Sequence, residues 1–363
     1  MESFIHLLHQ DKNSIYLSEK YKIQNEIGRG KSGSVFVLLE LNTGKKFVLK
    51  EIRNISYFPN FKKISTYIND ELNSSFLLNT HDSVCDQIAS DNYTNQVLIH
   101  MILNKILKKQ PNYLYQYDFY CHNNSGFTVC EYANLGDLSD YLYTRESFSE
   151  NWIIDLFRQV CKPLLILKQD IFGFHHSDLK TKNILVHMNT NNQIIYKIAD
   201  FDKSSIFYNN VRFFNDCYNY TLGYYKSSPF RLHRENSEYL YYNLADTDLY
   251  GRIIGFHEYF MSNPKGFFMS FDYYTFFYSF ILEKPILGWM LDHKDSIAWN
   301  IYHYLFHFEE EEEWSKFMNN LNDIYSEKIK GNTQSIVFYW NQFKTCGFKL
   351  RYDVSKINDW LDI

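Results

Sequence analysis

The sequence predicts an α+β chain in two parts, a small strand-rich one followed by a larger, mostly helical one. Three observations carry this. Short apolar runs, Tyr21 to Ile27, Val35 to Leu41 and Phe47 to Leu49, are separated by glycines and polar turns, the pattern of strands. Ile153, Leu156, Phe157 and Val160 recur at helical spacing within Trp152 to Leu167. Phe267 to Leu282 is apolar nearly all round, so as a helix it belongs in a core. It is sixteen residues long and contains Asp272, short of the roughly 20 residues that span a bilayer.

In chain order, residues 1 to about 20 form a lead-in and about 21 to 131 the smaller part. Within it, about 51 to 93 is an insertion of mixed polarity with a helix near Ile68 to Leu78, and Asn95 to Leu103 is the principal helix, apolar at helical spacing. The larger part runs from about 132 to 363. Ile184-Leu185-Val186 and Ile195-Tyr196-Lys197-Ile198 read as short strands joined by the polar turn Asn189 to Gln193. From about 200 to 270 the chain is rich in tyrosine and asparagine and poorly periodic, an extended segment or an insert. A helical pattern returns at Trp314 to Tyr325, and there is no internal repeat.

Composition narrows the function. The 363 residues are 45% hydrophobic, ample for a packed core. The 19% aromatic share, with 31 Tyr and 31 Phe, fits codon bias as well as chemistry. A net charge of −5 makes no electrostatic case for nucleic acid or an anionic membrane surface. Glu309 to Glu313 reads as an exposed acidic face, with a dock for a basic partner as the alternative. Six cysteines show no Cys-x-x-Cys and thirteen histidines no zinc pattern, which points to a reducing, cytoplasmic setting. Met1 to Asn13 does not have the form of a signal peptide.

The chemistry is concentrated in His176-Ser177-Asp178-Leu179-Lys180-Thr181-Lys182-Asn183 and Ala199-Asp200-Phe201-Asp202. Asp178 suits orienting or deprotonating an attacking hydroxyl, and Asn183 and Asp200 offer hard oxygen ligands for Mg²⁺. A hairpin between the two motifs would bring Asn183 and Asp200 close together. Upstream, Gly28-Arg29-Gly30-Lys31-Ser32-Gly33-Ser34-Val35 sits between two apolar runs, where glycines let backbone N–H groups approach phosphates. Lys50 follows Gly33 by seventeen residues on the next strand, among apolar neighbours. A lysine there needs an anionic partner; the alternative is a snorkelling surface lysine. Together these features point to phosphoryl transfer.

On these motifs the chain resembles the eukaryotic-type protein kinases, from about Tyr21 to about Leu282. The resemblance implies a two-lobed fold, with a small antiparallel-sheet lobe carrying one main helix and a larger, mostly helical lobe. It implies ATP and Mg²⁺, with the phosphates covered by Gly28, Gly30, Gly33 and Val35 and held by Lys50. Val129-Cys130-Glu131-Tyr132-Ala133-Asn134-Leu135-Gly136-Asp137-Leu138 resembles the family's connector. By that match Cys130 is the gatekeeper, Glu131 to Ala133 bind adenine through backbone groups and Asp137 reaches the ribose. Asp178 and Lys180 become catalytic, Asn183 and Asp200 metal-binding, and Asp272 a brace for the catalytic loop. Lys180 resembles the Ser/Thr-specific subgroup, so the expected acceptor is a Ser or Thr hydroxyl of a protein substrate.

Three departures qualify the resemblance. Gln96 stands where the main helix of the family carries the glutamate that pairs with the strand lysine, and Glu71 is the other candidate partner of Lys50. Ser177 replaces the arginine that receives an activation-loop phosphate, so a kinase independent of loop phosphorylation is expected. Asp202 replaces the glycine after Asp200-Phe201, as an extra carboxylate near the metal or as a solvated turn residue. Of the family's Ala-Pro-Glu only echoes remain, Ser228-Pro229-Phe230 and Asn263-Pro264. The departures and large inserts resemble in style the divergent kinases of large DNA viruses and intracellular bacteria, for which host cytoplasm would be the setting. Two other readings stand beside the active kinase. One is a pseudokinase scaffold; the other is a small-molecule kinase like the aminoglycoside and choline phosphotransferases, a subgroup that usually has histidine where this chain has Lys180.

Overall fold

A computed structural model of the chain describes residues 20–29, 33–53, 92–107, 110–122, 125–168, 174, 176, 178–204, 206–208, 211–213, 231–235, 239–243, 269–281, 283–307, 319, 348–351 and 354–363. They belong to two compact units, one drawn from Met1–Leu135 and His187–Asp216, the other from Gly136–Val186 and Cys217–Ile363.

The first unit is built on five antiparallel strands, β1 (Tyr21–Arg29), β2 (Ser34–Glu40), β3 (Lys46–Arg53), β4 (Gln116–His122) and β5 (Ser125–Glu131), in the order β1-β2-β3-β5-β4. Alternation along the strands divides the side chains between two faces. One face buries Tyr21, Leu38, Phe47, Leu49, Tyr120 and Val129, flanked by Phe36 and Phe127. Tyr120 and Phe127 stack with ring centroids 4.7 Å apart. Burying each such large side chain contributes about 1.5–3 kcal/mol. Register fixes the opposite face: Val35 pairs with Lys50 and Lys50 with Thr128, while Val37 pairs with Val48 and Val48 with Cys130. Directly opposed residues share a face, so the two rows Val35-Lys50-Thr128 and Val37-Val48-Cys130 lie side by side. A one-residue slip would turn Lys50 away from this face.

Helix α1 (Asn92–Ile106) is the principal helix of this unit. Tyr93, Val97, Leu98, Ile99 and Ile102 are fully buried. The Tyr93 ring lies against Gly126, where a Cβ would collide with it, and its hydroxyl donates to the Tyr120 carbonyl at 2.8 Å. Strand β6 (Ile184–Met188) enters the unit at His187, and β7 (Ile194–Ile198) follows a turn closed by Asn189 N–H to the Gln193 carbonyl, 3.0 Å. Phe201–Lys203 is a single 3₁₀ turn, and β8 (Ile206–Tyr208) pairs antiparallel with β9 (Val211–Phe213).

The second unit contains α2 (Leu138–Thr144), α3 (Glu150–Lys168), α4 (Met269–Ile281), α5 (Lys284–Asp292), α6 (Ile297–Leu305) and α7 (Ser355–Leu361). The periodic positions of α3, Ile153, Leu156, Phe157 and Val160, are fully buried, as are Asp272, Tyr273, Thr275, Phe276, Phe277, Ser279, Phe280 and Ile281 of α4. Phe157 meets Phe277 at 4.7 Å and Phe280 at 5.3 Å, both edge-to-face. Tyr302 donates to the Phe277 carbonyl at 2.7 Å and Tyr273 to Asn358 Oδ1 at 2.9 Å, so both of these buried hydroxyls are satisfied.

The predicted α+β class holds: among the described residues one unit has an antiparallel sheet with a main helix and the other has six helices. The second unit also contains a sheet that the sequence did not announce: β10 (Arg231–Glu235), β11 (Tyr239–Asn243), β12 (Phe306–His307) and β13 (Phe348–Arg351), antiparallel in the order β10-β11-β13-β12. Its strands come from three distant stretches of sequence, which no local pattern links. The expected helices at Ile68 to Leu78 and Trp314 to Tyr325, the acidic run Glu309 to Glu313, and the motif echoes at Ser228-Pro229-Phe230 and Asn263-Pro264 lie outside the described residues. Among the described residues, no helix is long and apolar enough to cross a membrane.

Candidate active site

In the first unit, β3 holds Lys50 partly buried, and its Nζ donates to Asp200 Oδ1 at 2.5 Å and to Gln96 Oε1 at 2.9 Å. Burial pulls the Lys50 ammonium downward, but the carboxylates of Asp200 and Asp202 outweigh it and the net displacement is upward. Gln96 therefore takes the helix position opposite Lys50 as a neutral acceptor; Glu71 lies outside the described residues. Asp200 itself has φ 68° and ψ 66°, in the left-handed region, a conformation that costs an L-residue about 1–2 kcal/mol and is least unfavourable for Asn and Asp. Backbone strain of this kind persists where neighbours hold it. The next residue, Phe201, is fully buried, with the His100 ring edge-on at 4.8 Å and Tyr113 at 5.9 Å.

The connector begins at the end of β5. Cys130 is buried beside Thr128, and burial pushes its thiol up to about 11. The Glu131 N–H donates to the Tyr115 carbonyl at 2.9 Å, and its carboxylate pairs with Lys197 at 3.1 Å. Lys197 is itself buried and donates to the Pro111 carbonyl at 2.7 Å. The Glu131 side chain is thus tied to β7. Beyond Ala133, Asn134 exchanges two hydrogen bonds with the Met188 backbone, 2.9 and 2.8 Å. In the glycine-rich segment, Gly28 pairs with Val35 across β1 and β2. Gly33 has a packing requirement of its own: a Cβ there would strike the Glu51 carbonyl oxygen. Gly30 lies outside the described residues.

In the second unit, the catalytic-loop candidates converge. Asp178 is buried, and its Oδ2 accepts from Lys180 Nζ at 3.0 Å. The Asn183 amide nitrogen donates to the Asp178 carbonyl at 2.8 Å, with Asp178 Oδ2 at 3.5 Å. Thr181–Asn183 makes one 3₁₀ turn, which folds Asn183 back toward Asp178. Asp272, fully buried on α4, accepts the His176 N–H at 2.9 Å; this is the brace that the sequence assigned to it. Asp137 caps α2 by accepting the Asp140 N–H at 2.9 Å, with Lys182 Nζ at 4.0 Å. Burial raises its carboxyl, against the Asp140 amide and Lys182.

Several contributors escaped the sequence reading. Thr181 donates its hydroxyl to Glu283 at 2.7 Å and its N–H to the Ser279 hydroxyl oxygen at 3.1 Å, so α4 and Glu283, just before α5, support the loop at two more points. Burial raises the Glu283 carboxyl, and hydrogen bonds from Thr181 and Ser139 oppose this. In the first unit, Asn95 and Lys197 were also missed. A lysine within the apolar strand Ile194–Ile198 was the available signal for Lys197; none marked Asn95, whose helix carries several other polar residues. Ser177 lies outside the described residues.

An antiparallel sheet holding a lysine on an aspartate, and a loop gathering Asp, Lys and Asn, are the parts that the resemblance to phosphoryl-transfer proteins implies. The model of the protein kinase domain family matches residues 21–238, and the chain belongs to that family. A protein of Acanthamoeba polyphaga mimivirus, R679, whose name assigns it provisionally to the serine/threonine-protein kinases, is 36% identical over 178 residues, covering 35% of this chain and 25% of its own. NUAK family SNF1-like kinase 1 of Mus musculus is 25% identical over 191 residues, 53% of this chain and 23% of its own. Serine/threonine-protein kinase ULK1 of Homo sapiens is 39% identical over 104 residues, 27% of this chain and 10% of its own. The chain thus spans a quarter or less of the length of each of these relatives.

Proposed function

We propose that the chain is an ATP- and Mg²⁺-dependent protein kinase that phosphorylates Ser or Thr hydroxyls of a protein substrate, works in the cytoplasm and needs no activation-loop phosphate. The observation that carries this is the Asp178 cluster. A buried carboxylate is costly unless paired, and this one is paired with Lys180 and hydrogen-bonded through its own backbone to Asn183. In this reading Asp178 orients the acceptor hydroxyl and takes its proton, and Lys180 steadies the charge on the γ-phosphoryl oxygens. Lys50 holds the nucleotide phosphates beneath Gly28, Gly30, Gly33 and Val35. The backbone of Glu131 to Ala133 receives the adenine and Asp137 the ribose.

The residues also fit a magnesium ion. The Asn183 nitrogen is engaged by the Asp178 carbonyl, which leaves Oδ1 as its ligand atom, and Asp200 brings a carboxylate; both are hard oxygens of the kind Mg²⁺ takes beside phosphate oxygens and water. When bound, Mg²⁺ would neutralise phosphate charge. Independence from a loop phosphate is supported by Ser177 and by the first-unit contacts, in which Lys50 already lies on Asp200 and Gln96.

Asp178→Asn is expected to lower kcat on the order of 10²–10⁴-fold while nucleotide affinity stays near wild type. Near-wild-type turnover in that variant would remove Asp178 from the mechanism. Parallel acceptor pools of proteins and small molecules separate a protein kinase from a small-molecule kinase. Nucleotide binding without transfer to either pool would mark a pseudokinase.

A further inference from the structure

We infer that Asn95 is a positioning residue that latches the Asp200–Ser204 segment onto α1, so that Asp200 is presented to Lys50 without a phosphate to order it. The inference deepens the kinase reading above and rests on it.

Asn95 is fully buried in the first turn of α1, one residue before Gln96. Its Nδ2 donates to two backbone carbonyls, Asp202 at 2.9 Å and Ser204 at 2.8 Å. These two carbonyls sit within and just beyond the 3₁₀ turn Phe201–Lys203. A single NH₂ group, with two donors diverging from one atom, suits such a pair. Its carbonyl Oδ1 is buried and has no hydrogen-bond partner among the described residues. An unmatched buried acceptor is unfavourable, so the amide is better explained by what its nitrogen holds than by what it adds to the core.

The rest of the helix face works in the same direction. Gln96 accepts from Lys50, and His100, one turn further on, packs edge-on against Phe201. Asn95, Gln96 and His100 therefore join α1 to Ser204, Asp202, Phe201 and Lys50 together, and a swing of the helix would break these contacts as a group. Asp200 lies directly before the latched turn, in a left-handed conformation that its neighbours must maintain.

The test compares the wild-type chain with Asn95→Ala and Asn95→Asp. Asn95→Ala removes both donors; Asn95→Asp keeps the shape but turns a carboxylate oxygen toward two carbonyl oxygens. Hydrogen exchange at the amides of Phe201 to Ser204 is expected to quicken on the order of tenfold or more in both variants, more in Asn95→Asp. Exchange in β3 and β5 should stay at the wild-type level. In the same preparations kcat should fall about tenfold or more, with ATP KM within about threefold of wild type. Unchanged exchange across Phe201 to Ser204 in both variants overturns the latch, whatever the activity does. So does a lower melting temperature with protection lost evenly over the unit, the mark of a general packing role. A wild type that binds nucleotide but transfers no phosphate counts against the kinase reading alone, and the exchange comparison still decides the latch.

Discussion

Among the described residues, two carboxylates and one neutral amide act on Lys50. Asp200 pairs with it, Asp202 adds to the field that holds it charged, and Gln96 completes the set without charge. We expect these two sequence departures to offset each other, the carboxylate missing at Gln96 being made up at Asp202. Asp202→Gly is expected to raise ATP KM several-fold, and Gln96→Glu in that background to restore it. Gln96→Glu alone, adding a third carboxylate, should bring little gain. A double-mutant cycle on ATP KM measures the coupling, and independent effects would contradict the offset. Lys50, Asp178, Asn183 and Asp200 were legible in the sequence because their motifs are short and local. Asn95 was not, since its partners are backbone carbonyls more than a hundred residues away that any residue type would supply.

The helix α1 and the sheet beneath it make predictions of their own. Gly126→Ala would drive a methyl group into the Tyr93 ring and is expected to cost about 1–3 kcal/mol, read as a lowered melting temperature. Asp118 on β4 is partly buried, with Lys20 Nζ at 4.0 Å, and burial raises its carboxyl from 3.8 to about 6. The folded state then binds this proton more tightly than the unfolded one, so stability declines as pH rises from 3.8 to about 6. Asp118→Asn should therefore be more stable than wild type at neutral pH, by about 1–3 kcal/mol. The advantage should disappear below about pH 4. Thermal melts of both proteins across that range check the sign. Strands β1 to β3 were legible because alternation and glycine punctuation are local signals. Strands β10 to β13 were not: five residues or fewer each, they lie among tyrosines and asparagines, and their pairing is a long-range event.

For the molecule as a whole, membership of the protein kinase domain family accounts for residues 21–238, and the aspartate of α4 that braces the loop lies beyond that span. The combination of motifs was specific where each alone was weak. What the sequence left open was whether the departures had dismantled the site. Within each unit the candidate groups stay together: Lys50 rests on Asp200 and Gln96, and Asp178 on Lys180 with Asn183 folded against it. The central claim is that these groups transfer phosphate. The most direct test is Mg²⁺-dependent transfer of labelled γ-phosphate from ATP to the chain itself and to a generic basic protein, wild type beside Asp178→Asn. Label on serine or threonine in the wild type, lost on chelating Mg²⁺ and nearly absent in the variant, is the predicted result. No label from a wild type that still binds nucleotide, or equal labelling by the variant, would contradict it.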